Sequence, residues 1–191
     1  NHWLEEARNL TDSMNSLFWD ESEGVFYDTG IDHESLLIRP RELLDNAIPC
    51  GSSVAVEVLL KLSVLTGQEE YRMRAMAALD EAGPTFSQFP SGAGRWLTAV
   101  DFYLHQPAEI AISGPRHDPY TDKLMDVIYG RYMPNKVIAG MAEEDVLGSH
   151  PIPLLRHRTQ IRGQPTVYIC KNYVCTMPTT DPGILASQLD L

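Results

Sequence analysis

Residues 108–120 read AEIAISGPRHDPY, and there the chain changes character. Ile110, Ala111 and Ile112 form a short apolar strand that ends at Ser113, Gly114 and Pro115. Asp118 then supplies an N-cap and Pro119 a first-turn proline for a helix carrying Tyr120, Leu124, Val127, Ile128 and Tyr132. Proline fits that position because the N–H it lacks is one that a first turn leaves unpaired anyway. Val137, Ile138 and Ala139 make a second strand, and the succession strand, helix, strand predicts a right-handed parallel crossover.

Farther on, Glu143 to Gly163 holds a short helix near Ile152 to Arg156. Thr166 to Ile169 and Val174 to Met177 flank Lys171, Asn172 and Tyr173 as a hairpin, and Asp181 and Pro182 open a last helix with Ile184, Leu185 and Leu189 on its face. The expectation for residues 107–191 is therefore a small α/β domain of two or three layers. Its mostly parallel sheet unites 110–112, 137–139 and 166–169, with 174–177 antiparallel to the third strand.

Upstream of Pro107 the period is helical. Trp3, Leu4, Ala7, Leu10, Met14, Leu17 and Phe18 mark an amphipathic helix of about five turns. Ser53 to Leu65 is apolar except at Glu57, Lys61 and Ser63, which predicts a helix buried on most sides, with Ser53 as N-cap and Gly67 just past its end. Tyr71, Ala75, Leu79 and Ala82 begin another helix after a link so short that the two pack as an antiparallel hairpin. Two prolines and two glycines break the stretch Pro84 to Gly94, and Ala93, Trp96, Leu97, Val100, Tyr103 and Leu104 restore the period. Residues 1–106 thus read as helical hairpins.

The 191 residues carry a formal net charge of −11 with 43% apolar composition, ordinary for a chain with a real core. The acidic balance argues against nucleic acid, which is gripped by clustered Lys and Arg. No apolar run approaches the roughly 20 residues that span a bilayer, so no membrane partner is expected. The chain begins at Asn1 within a helical pattern, which points to a piece of a longer protein. Three cysteines, Cys50, Cys170 and Cys175, lack paired metal-ligand spacing, so a reducing, cytoplasmic setting is the default and neither metal nor cofactor is expected.

Five segments carry a family resemblance: Gly24 to Thr29; Asp32 to Glu34 with Leu37 to Arg41; Asp45 to Pro49 with Gly51 to Ser53; Glu109 to Gly114; and Thr166 to Cys170 with Cys175, Pro178 and Thr180 to Pro182. In order and spacing the chain resembles the end of the thioredoxin-domain proteins of the spermatogenesis-associated protein 20-like family. The resemblance implies an N-terminal thioredoxin-like domain as partner. It also implies a middle α/α toroid like those of six-hairpin glycosidases and N-acylglucosamine 2-epimerases, and an α/β tail. A full six-hairpin toroid takes on the order of 300 residues, so residues 1–106 would be part of one. A serine and an asparagine of the family pattern stand here as Cys50 and Ser52.

In such a toroid, loops converge on a cavity where sugars meet aromatic rings, carboxylates and amides. A carbohydrate ligand is the implied expectation, with His33, Asp28 and Asp45 as catalytic candidates and Tyr27, Glu34, Arg39 and Asn46 as binding candidates. Paired carboxylates could act on a glycosidic bond, or a histidine could shuttle a proton at a sugar carbon. The competing reading makes Asp28 and Asp45 turn and cap residues, Arg39 a structural partner for one of them and His33 a solvated loop residue. The whole chain would then be a non-catalytic scaffold positioning the thioredoxin-like domain.

Cys170 and Cys175 flank a four-residue hairpin loop at facing cross-strand positions. They are open to two readings: a reversible, redox-active disulfide, or two free thiols packed as small apolar groups. A zinc site would need His150 and His157 as further ligands. Ser113 to Pro115 sits where many α/β folds bind phosphate, but without a glycine-rich fingerprint.

Overall fold

The computed structural model describes residues 2–34, 37–142, 150, 152–172 and 174–190. It divides into two compact units, Asn1–Ser63 with Gln68–Leu104, and Val64–Gly67 with His105–Leu191.

In the first unit, helix α1 spans His2–Phe18. Its buried side chains are polar, Thr11 and Asn15, whereas Trp3 is 82% and Leu10 71% exposed. The carboxylate of Asp12 accepts a 2.7 Å hydrogen bond from the buried Tyr71 hydroxyl. Strands β1 (Trp19–Asp20) and β2 (Val25–Phe26) then pair antiparallel. Asp20 shapes their turn: one carboxylate oxygen accepts from the Ser22 hydroxyl at 2.6 Å and from the Ser22 and Glu23 N–H groups. These bonds, the Ser22 hydroxyl foremost, lower the Asp20 pKa. Gly24 closes the turn at φ +69°, where a side chain would be strained.

Helix α2 (Gly51–Thr66) starts two residues before the expected cap Ser53, which is buried. Gly51 has no positive φ and simply opens that helix. Helix α3 (Glu69–Gln88) continues through Pro84 instead of breaking there. A proline deprives only the carbonyl four residues back of its partner, and both Asp80 and Pro84 are exposed, so water can serve that carbonyl. A 3-10 turn at Pro90–Gly92 leads into α4 (Gly94–Leu104), whose Trp96 stacks on Phe86 and donates its indole N–H to the Leu43 carbonyl at 2.8 Å.

In the second unit, strand β3 (Ala108–Ser113) is followed by α5 (Pro119–Tyr129), β4 (Lys136–Met141) and a 3-10 turn at Pro153–Leu155. Strands β5 (Thr166–Lys171) and β6 (Val174–Cys175) and helix α6 (Pro182–Leu189) complete it. Asp118 and Asp181 cap α5 and α6 as expected, each accepting two N–H bonds of the first turn. Helix α5 ends at Tyr129, before the exposed Tyr132. The four strands share one sheet in the order β4-β3-β5-β6. On one face Ile110, Ile112 and Val167 pack with Leu124, Ile128 and Leu185 of the two helices; Leu154 and Leu155 of the 3-10 turn are also buried, against β3 and β4.

The expected fold class needs correction on two counts. Only β3 and β4 are parallel; β5 lies antiparallel to β3, and β6 antiparallel to β5, so the sheet is mixed and not mostly parallel. The helical part does not form a partial α/α toroid. A toroid alternates helix with helix, whereas α1 runs into a β-hairpin, and among the described residues only α2 and α3 follow each other directly. The described residues make an α+β fold of six helices and two small sheets.

Candidate functional site

The described residues between Tyr27 and Asn46, 27–34 and 37–46, form no helix or strand, so their backbone groups need partners from side chains. The charged residues there supply them. Asp28 accepts the Glu42 N–H at 2.7 Å, while its own N–H donates to the Pro40 carbonyl. Arg39 donates to the Thr29 carbonyl at 2.6 Å and the Leu17 carbonyl at 3.4 Å, and its guanidinium lies 4.3 Å from the centre of the Tyr27 ring. The Tyr27 hydroxyl donates to Glu23 at 2.7 Å, which raises the phenol pKa.

Asp45 does the most. One of its oxygens accepts from the Cys50 N–H at 3.0 Å and the Ser53 hydroxyl at 3.3 Å, at the start of α2. The other accepts from the Arg95 N–H at 2.8 Å, in the first turn of α4. A single carboxylate thus satisfies amide donors at two helix N-termini, where the helix dipoles also favour negative charge.

His33, Glu34 and Asn46 are exposed; the Asn46 side chain accepts only the neighbouring Ala47 N–H. No hydrogen bond or ion pair joins any two of Asp28, His33, Arg39 and Asp45. Asp28, Arg39 and Asp45 each anchor backbone groups, and Arg39 pairs with carbonyls rather than with either aspartate. Glu57 is a residue the sequence reading passed over: it is buried on α2, 2.6 Å from Arg95 and 2.5 Å from Lys61. The only local signal was the Lys one turn later, since Arg95 is remote in the chain.

The turn after β3, where many α/β folds bind phosphate, is filled here. A side-chain carbon at Gly114 would lie 2.6 Å from the Thr121 hydroxyl, the Gly114 N–H is spent on the Met141 carbonyl, and Asp118 occupies the α5 N-terminus. Among the described residues no group of three or more His, Cys, Asp and Glu side chains is placed to hold a metal ion. The His150 Nδ1 accepts the Ile152 N–H instead.

Cys170 and Cys175 face each other across β5 and β6, Cα atoms 3.9 Å apart, and are joined by a disulfide, so they are not the two free thiols of the second reading. Tyr173 of their loop lies outside the described residues. Cys170 is 1% exposed, and Cys175 is half-buried. Arg158, which the sequence did not single out, points its guanidinium at both sulfurs, 2.8 Å from Cys175 Sγ and 3.6 Å from Cys170 Sγ. It also lies 5.2 Å from the centre of the Tyr168 ring, and the Tyr168 hydroxyl is tied to the Thr159 carbonyl at 2.6 Å. An open groove of about 400 Å³ adjoins the hairpin, lined by Ala108, Met133, Ile169, Val174 and Leu189. Cys50 is a buried free thiol.

These features describe an α+β chain whose loop charges serve its backbone and whose hairpin carries a disulfide beside an arginine. Over nearly its whole length the chain is similar to spermatogenesis-associated protein 20 from Homo sapiens, at 28% identity over 183 residues, covering 94% of this chain and 23% of that protein. The Rattus norvegicus protein of the same name is 30% identical over 186 residues, with the same coverage. An uncharacterized protein of Caenorhabditis elegans is 26% identical over 181 residues, covering 92% of this chain and 24% of that one. The chain spans about a quarter of the length of these curated relatives. No protein-family model matches it. No helix among the described residues is long and apolar enough to cross a membrane.

Proposed function

We propose that this chain is a non-catalytic scaffold within a longer thioredoxin-domain protein, and that it holds an N-terminal thioredoxin-like domain in place. The observation that carries this reading is the engagement of Asp28, Arg39 and Asp45 by backbone groups. Carbohydrate chemistry needs carboxylates free to meet a glycosidic oxygen or a water. Here the Asp28 carboxylate accepts one backbone N–H, and the Asp45 carboxylate accepts two backbone N–H groups and the Ser53 hydroxyl. Similarity to spermatogenesis-associated protein 20 supports the placement in a longer chain. The exposed Trp3 and Leu10 of α1 supply apolar surface for a contact.

The test uses the full-length protein. A panel of mono- and oligosaccharides should leave its melting temperature unchanged, and the thioredoxin-like domain expressed separately should bind this chain in a calorimetric titration. A sugar that raises the melting temperature of the wild type but not of His33→Ala would restore the carbohydrate reading. Absence of any association with the thioredoxin-like domain would remove the scaffold reading.

A further inference from the structure

We propose that Cys170 and Cys175 form a thiol–disulfide exchange site, with Arg158 positioned to stabilise the thiolates that exchange releases. Two observations argue against a disulfide that serves only as a staple. It closes a loop of only four residues between positions that the β5–β6 ladder already holds opposite each other, so the chain freedom it removes is near the minimum for any cross-link. The hairpin also keeps the two sulfurs adjacent after reduction, so re-oxidation is intramolecular.

The second observation is the arginine. A disulfide sulfur is a weak, neutral acceptor and gains little from a guanidinium, whereas a thiolate gains a charge-assisted hydrogen bond. Arg158 is half-buried, forms no ion pair with a carboxylate among the described residues, and is held between the two sulfurs and the Tyr168 ring. Its position therefore favours the reduced couple over the oxidised one.

Burial sets the order of events. An incoming thiolate from a dithiol reductant reaches Cys175 Sγ, because Cys170 Sγ is enclosed. A bond forms between the incoming sulfur and Cys175, the Cys170–Cys175 bond breaks, and its electron pair leaves on Cys170 as a thiolate 3.6 Å from Arg158. The second thiol of the reductant, as thiolate, then attacks the sulfur bound to Cys175 and expels the Cys175 thiolate, 2.8 Å from Arg158. Two electrons pass from the dithiol, which becomes a disulfide, to the hairpin; the reductant gives up two protons and the two new thiolates can take them up. Both leaving groups depart beside the same cation, which lowers the barrier to each step of reduction.

The experiment equilibrates the 191-residue chain with dithiothreitol redox buffers, quenches with iodoacetamide and scores Cys170 and Cys175 by peptide mapping, which separates them from Cys50. Arg158→Gln should lower the equilibrium constant for reduction about tenfold, about 30 mV for a two-electron couple, and slow the attack by dithiothreitol. Arg158→Lys, which keeps the charge, should recover part of both. As a readout independent of folding differences, alkylation of reduced wild type should label Cys175 at a pH well below that needed for an unperturbed thiol, and this preference should vanish in Arg158→Gln. Equal constants and equal alkylation profiles in wild type and Arg158→Gln would overturn the proposal. So would a disulfide that resists dithiothreitol in the native protein, or cysteines that never pair under oxidising buffer.

Discussion

Replacing Asp45 tests the central structural claim about the loop. Asp45→Ala removes three hydrogen bonds, two of them from N–H groups at the starts of α2 and α4. Loss of one N-cap costs about 1 kcal/mol, and bonds to a charged acceptor run to about 1.5–3 kcal/mol each, tempered here because Asp45 is only half-buried and water can reach the vacated donors. The expected cost is about 2–4 kcal/mol, which for a unit of this size lowers the melting temperature by roughly 10–20 °C. Asp45→Asn should cost about half as much. Its carbonyl oxygen can keep one helix start, but its NH₂ then faces the N–H groups of the other. All three tryptophans, Trp3, Trp19 and Trp96, lie in the first unit, so thermal melting followed by tryptophan fluorescence reports on that unit alone. An Asp45→Ala protein melting within about 2 °C of the wild type would show that water replaces the carboxylate without penalty, and the anchor argument would fail.

Two further outcomes follow from the packing. Burial, and then the hydrogen bond to Asp12, raise the Tyr71 pKa, so the folded state holds that proton more tightly than the unfolded chain. Its contribution is complete below about pH 10 and is lost as pH rises beyond; chemical unfolding across that range should show a shallower alkaline decline for Tyr71→Phe, together with about 1 kcal/mol less stability at neutral pH. Leu124 of α5 is fully buried against the sheet and α6, so Leu124→Ala should destabilise the second unit by about 2–5 kcal/mol, read as earlier loss of far-ultraviolet circular dichroism.

What the sequence disclosed was local. The Asp118-Pro119 and Asp181-Pro182 starts, the apolar strands and the hairpin around Cys170 and Cys175 depend on neighbours in the chain, and each lies where the spacing put it, except that the second hairpin strand stops at Cys175 rather than Met177. Sheet order was not legible. Antiparallel pairing of β5 with β3 depends on which edge of β3 is left free, and neither strand's residues record that. The loop charges were visible as a group, but their roles were not. Asp45 serves Arg95 across fifty residues, and Arg39 serves carbonyls, which every residue offers and no pattern marks. Arg158 was hidden for the same reason, since its partners sit a dozen or more residues away on the hairpin.

The placement of β3 between β4 and β5 also governs the order in which the second unit can be made. Strand β4 arrives soon after β3 and can pair with it through a short crossover, but Ile110 waits for Ile169, roughly sixty residues later, to cover its other edge. Until then a nascent chain presents a row of unpaired backbone groups beside the apolar side chains of Ile110 and Ile112, the template on which strands of other molecules add. Closing so long a loop before any contact rewards it slows the step. The half-built sheet is thus the stage of synthesis at which this chain most needs a chaperone, and substitutions that weaken β5 should show first as lost yield rather than as a lower melting point.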